Sequence, residues 1–456
     1  MSLYITPLAP RSELHWSKWA IVLLIATLVF IWPIPRTISL RDLLLVLLLC
    51  WGGYEAYRRR AAPLPWHALR VPLGFFLALT VWILVVALLV STEPAWALGE
   101  IKGQWLKACI ALAAGGLVGV TAFKDVTLCR LILMVVGAML LLHILYVDYE
   151  AMRFILANLN VPRIMGLTEG SDKSNYLTNM LLYLLLAEAL VRTIAHRRFL
   201  PFGNVPLALI SAAVFFSVYV EGMRNGIIEL VTVFGLGFLL VVLFTSRRRR
   251  AIMVGAMLLL VSVSLVLGYL NLRKDERWQS FLETVPIALD IENPAWINEG
   301  LPQPRLESGQ KVDWSNYMRI ARARAGIELV REYPFGVGFG RNAFGHAVEM
   351  KYGQRTSHSH SGLIDLAVGT GIPGTLLWLG FLGSLAALAW RSFRRTRDYC
   401  ALALLLLVTG YGTRMVLDSI IRDHMLQMFL FLAAFLAVIA AGQLARQRAL
   451  AAAPPG

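Results

Sequence analysis

Twelve apolar stretches, separated by short polar links, dominate the chain: they lie near 17–34, 39–56, 72–92, 105–122, 127–147, 176–194, 203–222, 226–245, 251–270, 362–390, 399–419 and 425–445. A hydrocarbon layer about 30 Å thick is crossed by a helix of roughly 20 apolar residues. The pattern therefore predicts an all-α polytopic membrane protein with about twelve transmembrane helices. The alternation fails once, between Asn271 and Ser361, where a long polar stretch rich in arginine separates spans nine and ten. This divides the chain into helices one to nine over 1–270, a soluble-like loop over 271–361, and helices ten to twelve over 362–456. Span ten carries Gly369, Gly371, Pro373 and Gly374, which predict a short polar-entry helix followed by a break.

Within the polar stretch, Ile320, Ala323, Ile327 and Val330 recur at helical spacing, with Ser315 as the expected N-cap. Arg319 and Arg322, three residues apart, then lie on adjoining flanks of one helix and are able to face a common anion. A solvated basic face is the plainer alternative. Gly336, Gly338 and Gly340 follow at alternate positions in a Tyr-Pro-Phe-Gly-Val-Gly-Phe-Gly run. They read either as a tight turn or as a close approach to a ligand. No strand and helix surround them as a dinucleotide site requires.

Composition agrees with the membrane reading: 58% of residues are hydrophobic and mean hydropathy is +0.65. A net charge of +15 would suit nucleic acid, but the arginines fall at alternating helix ends. Arg58 to Arg60, Arg197-Arg198, Arg247 to Arg250, Arg394-Arg395 with Arg397, and Arg446 with Arg448 are such clusters. That is the distribution of cytoplasmic loops. Both termini are expected in the cytoplasm, with 93–104, 148–175 and 271–361 on the other side. The first apolar run has no small-residue cleavage site and reads as a retained helix. Cys50, Cys109, Cys129 and Cys400 lie in apolar stretches, so neither a disulfide framework nor a zinc pattern is expected.

Candidate chemistry collects at one membrane face. Lys102 and Lys107 flank span four, Arg163 follows a proline, Arg224 sits in the turn between spans seven and eight, and Arg341 follows the glycine run. Positive charge is scarce in short outer loops and wants a reason there. Arginine's planar fork suits phosphate oxygens, although each of these side chains can equally reach toward lipid headgroups. Arg414 and Arg422 are expected to pair with Asp418 or Asp423. His358 and His360 stand at the mouth of span ten, where an imidazole can exchange protons; a purely structural role is the alternative for each.

The twelve spans, the one large loop, the arginine helix leading into Tyr333-Pro-Phe-Gly-Val-Gly-Phe-Gly340, and His360 eleven residues before Gly371-Ile-Pro-Gly374 together resemble the O-antigen ligase family. The motifs cover about 315–374 with the regions around Arg163 and Arg224, and Ser361 stands where relatives carry Asn. The resemblance implies a GT-C-like inner-membrane glycosyltransferase without cofactor or metal. It implies transfer of a glycan from undecaprenyl pyrophosphate to lipid A-core at the periplasmic face, with inversion. It implies His360 as general base, His358 in support, and Arg224 and Arg319, with Arg163, Arg341, Lys107, Lys102 and Arg322 more weakly, on the donor pyrophosphate. An O-antigen polymerase or a pilin oligosaccharyltransferase shares the same motifs. A flippase for lipid-linked glycan is the non-enzymatic alternative, disfavoured because no internal repeat or inverted pair of broken helices is seen.

Overall fold

The computed structural model describes residues 16–58, 66–246, 251, 276–298 and 300–452. Among these, extended pairing is confined to one isolated bridge between Arg305 and Lys311, and the rest is helix and connecting turn. The helices are α1 (Trp16–Ile31), α2 (Ile38–Arg58), α3 (Trp66–Val85), α4 (Pro94–Glu100), α5 (Leu106–Ala122), α6 (Val126–Leu156), α7 (Ser171–Ala195), α8 (Asn204–Glu221), α9 (Arg224–Phe244), α10 (Glu276–Leu289), α11 (Trp314–Glu332), α12 (Ala343–Tyr352), α13 (Gly362–Thr396), α14 (Tyr399–Leu417) and α15 (Asp423–Ala452).

Nine helical segments among the described residues are long and apolar enough to cross a membrane, against the twelve expected. The first expected span is only the 16 residues of α1. The second, α2, is long enough but carries Arg41, Asp42 and Glu55. The span expected at 251–270 lies, beyond residue 251, outside the described residues, as do Arg59, Arg60 and Arg247 to Arg250. The segment 93–104, expected as a loop, is helical: α4 runs through a π turn at Ile101–Trp105 into α5.

Helix α15 is the axis of the bundle, with 94% of its membrane stretch buried. Gly115 and Gly119 on α5, one turn apart, let the two backbones meet: a Cβ at Gly115 would strike the Phe431 carbonyl, and one at Gly119 would come within 3.0 Å of that of Phe435. Small residues at such spacing are how helices approach closely in lipid, where packing rather than hydrophobicity drives association. A second apolar cluster, centred on Trp296, Tyr317, Ala325, Leu329 and Phe344, belongs to the polar stretch and includes Val368 from α13.

That stretch is tied to the membrane helices where α13 breaks. Gly371 takes φ 68°, ψ −172° inside α13, and Pro373 has no N–H to offer the Gly369 carbonyl. In lipid the freed backbone groups must find other partners. They do: Val337 N–H donates to Val368 O at 3.1 Å, Gly338 N–H to Gly369 O at 2.9 Å, and Ile372 N–H to Pro334 O at 2.9 Å. The Trp82 indole covers Thr370 O at 2.7 Å. The glycine run thus approaches a helix backbone, which is what its missing side chains permit. Gly336 is at φ 91°, and a Cβ there would lie 2.5 Å from Gly369 O.

Gly336→Ala is expected to lower the unfolding temperature sharply, combining roughly 1–3 kcal/mol of overpacking with about 1–2 kcal/mol of left-handed backbone strain. Thermal unfolding and monodispersity of the detergent-purified variant check it; a wild-type melting curve would contradict this account of the break.

Candidate functional site

Helix α8 ends on Gly222 in the left-handed conformation and α9 begins two residues later. The short turn sets Arg224 at the lip of a cavity of about 440 Å³, with Arg163 over Gly222 on one side. On the other side α11 contributes Asp313, Asn316 and Arg319, and the turn that precedes it contributes Lys311. Four cations therefore face one carboxylate, with Arg224 Nη1 3.8 Å from Asp313 Oδ2. Arg319 is oriented by Asn225: its Nη1 donates to Asn225 Oδ1 at 2.6 Å, while Asn225 Nδ2 donates to Leu417 O at 2.9 Å.

Other buried polar groups of the same helices are also paired. Arg414 is fully buried and meets Glu229 at 3.0 Å and Asp418 at 3.4 Å, and donates to Asn175 Oδ1 at 2.9 Å and to Asp172 O at 2.7 Å. Glu221 accepts from Ser174, Asn175 and Thr178 at 2.7–2.9 Å. A charge inside the membrane is tolerated when it is compensated in this way, and removing one partner is far costlier than the pair itself.

The histidine segment is fixed from two directions. Arg322, 1% exposed, donates to Thr356 Oγ1 at 3.1 Å, Ser357 Oγ at 3.3 Å and His358 O at 3.1 Å. Asp365, in the first turn of α13, accepts from Ser359 N–H at 2.8 Å and Ser419 Oγ at 2.6 Å. Ser361 caps α13 by accepting from Ile364 N–H at 3.4 Å. Between these anchors His360 is held at φ 64°, a left-handed conformation that functional sites retain when their surroundings over-determine it.

The two imidazoles stand edge to face, 4.5 Å between centroids, and Arg422 Nη2 lies 3.5 Å from His358 Nε2. Burial, then Arg422, His360 and Arg322, push the His358 imidazole down to about 2. Burial, then Arg322, Arg319 and Arg422, push His360 down to about 4. Both are neutral near pH 7, and Arg319 is the residue that joins the cationic cavity electrostatically to His360.

Of the residues singled out in the sequence, Arg163, Arg224 and Arg319 line one cavity. Arg322 does not: it is turned inward, so the expected shared anion face with Arg319 is replaced by a clamp on the histidine segment. Arg341 is ion-paired elsewhere, 3.6 Å from both Glu100 and Asp423, and Lys107 pairs with Asp42 at 2.6 Å. Lys102 is exposed on the π turn before α5. The expected cap of α11 moves too, since Asp313 rather than Ser315 accepts from Asn316 N–H. Arg414 makes its expected pair with Asp418, whereas Arg422 faces His358.

A family model described as O-antigen ligase matches residues 207–379. The chain carries an O-antigen ligase domain. The domain runs from α8 into the first half of α13, and so takes in Arg224, Arg319, Arg322 and both histidines; Arg163, Arg414 and Arg422 lie outside it. No curated protein matches the chain. Asn225, Lys311, Asp313, Thr356, Ser357, Asp365 and Ser419 are not singled out in the sequence. Only Asp365 had a signal of its own, a carboxylate in the first turn of an apolar helix.

His360→Gly is expected to unfold at a higher temperature than His360→Ala. Relief of about 1–2 kcal/mol of left-handed strain exceeds the roughly 0.4–1 kcal/mol of extra unfolded-chain entropy that glycine brings. Paired melting curves in one detergent decide it, and the reverse order would refute a strained backbone at 360.

Proposed function

We propose that the protein transfers a glycan from undecaprenyl pyrophosphate to lipid A-core at the periplasmic face of the inner membrane, with 271–361 as the periplasmic unit. The observation that carries this reading is the cavity where Arg163, Arg224, Lys311 and Arg319 converge, with Arg319, after burial and Arg322, also holding His360 in its neutral form. A diphosphate is the ligand such a cavity suits, because guanidinium groups remain charged and grip phosphate oxygens in pairs. The family match supports the general class of activity.

In this mechanism an acceptor hydroxyl gives its proton to neutral His360 while its oxygen forms a bond to the anomeric carbon. The bond from that carbon to the diphosphate oxygen breaks, and Arg319, Arg224, Arg163 and Lys311 stabilise the charge that develops there. Displacement from the opposite side inverts the anomeric configuration. Because the donor's negative charge offsets the field of Arg319, its binding raises the proton affinity of His360 toward the range useful to a general base.

Two outcomes are expected from purified enzyme with donor and lipid A-core. His360→Ala should form no product while remaining folded in the membrane; wild-type product on a gel would remove the base. The acidic limb of kcat/KM, which reports the free enzyme, should fall as pH drops toward about 4, because protonation removes the base. The limb of kcat, which reports the donor complex, should lie at higher pH. Coincident limbs would rule out the coupling between donor and His360.

A further inference from the structure

A second cavity, of about 710 Å³, ends on the histidine segment and differs in chemistry from the first. Its walls include Asn298, Asn342, Gln354, Arg355, Thr356 and Ser357. Apart from Arg355, which is 3.8 Å from Glu349 and largely exposed, the polar groups here are, among the described residues, neutral carboxamides and hydroxyls. Asn342 occupies the N-cap position of α12 without using its side chain as a cap, and Asn298 spends only its oxygen, accepting from Gly300 N–H at 3.0 Å. Thr356 and Ser357 both accept from buried Arg322. A hydroxyl that accepts from a guanidinium keeps its own hydrogen to donate, so each retains a donor for a ligand in the groove.

We infer that this groove is a saccharide subsite, holding the acceptor's core oligosaccharide while its terminal hydroxyl reaches His360. The inference rests on the transfer reading above and assigns the acceptor a place in it. Neutral carboxamides and hydroxyls suit sugar hydroxyls, whereas the cationic cavity suits a diphosphate; the volume lies within the range of small-molecule sites. Ser357 is three residues from His360, at most about 10–11 Å of extended chain, so one bound oligosaccharide spans both. Among its bonds, Arg322 fixes the groove's hydroxyls and the histidine segment in the same frame.

The test uses the full-length enzyme in detergent and core oligosaccharide released from rough-form lipopolysaccharide. Each lost neutral hydrogen bond weakens binding by about three- to ten-fold, so Asn342→Ala with Gln354→Ala is expected to weaken core binding in calorimetry by about ten-fold or more. In the transfer assay the acceptor KM should rise by the same factor while the donor KM holds. Unaltered core binding and acceptor KM, in a background where the wild type transfers glycan, would overturn the groove and leave the ligase reading standing. Loss of core binding in the double variant, with a wild type that transfers nothing to lipid A-core, would keep the groove and remove the ligase reading.

Discussion

A helix that cannot complete its own hydrogen-bond ladder inside a membrane must borrow partners from elsewhere, and this protein is organised around one such helix. With Gly371 out of helical conformation and Pro373 lacking an N–H, the carbonyls of Val368, Gly369 and Thr370 are supplied by Val337, Gly338 and the Trp82 indole. The loan is mutual, because Pro334 O receives Ile372 N–H. Backbone pairing of this kind fixes register as well as position. The chain on either side of the glycine run, α11 before it and α12 after it, is thereby set against the first half of α13, whose N-terminus carries the histidines.

Charge is arranged with the same economy. The fully buried Arg414 is matched by Glu229 and Asp418, and Asn225, on α9 with Glu229, reaches from the Leu417 carbonyl to Arg319. Membrane helices α9 and α14 therefore hold a cation that belongs to α11. The cations that line the cavity are held more loosely, Arg224 standing 3.8 Å from Asp313. Against this background the two imidazoles stay uncharged, which lets a polar segment sit among arginines without repelling them.

Much of the architecture was legible because lipid imposes a coarse rule: length and hydropathy picked out nine helices that the structure contains. The rule faltered at α2, where Arg41 and Asp42 stand near one end and Glu55 near the other, and at α4, where a short amphipathic stretch looked like a loop. The break in α13 was readable from Gly371 and Pro373, yet its partner was not, since backbone pairing leaves no side-chain signature. The same limit applies to α11. Its apolar spacing pointed to Ile320, Ala323, Ile327 and Val330, but the buried face includes Met318, Ala321, Ala325 and Leu329 with Arg322 among them. Gly326 explains the preference: any side chain there would strike Ile364, so close packing by small residues outweighed hydrophobicity and carried Arg322 inside.

The mirror-handed backbone at residue 360 makes the two histidines unequal. In an ordinary extended strand, positions 358 and 360 would lie on one face. Here residue 360 is left-handed and the rings meet edge to face, with His358 against Arg422 and His360 in the field of Arg322 and Arg319. The two rings, though in contact, therefore have different neighbours, and exchanging position 358 for position 360 would not exchange like for like.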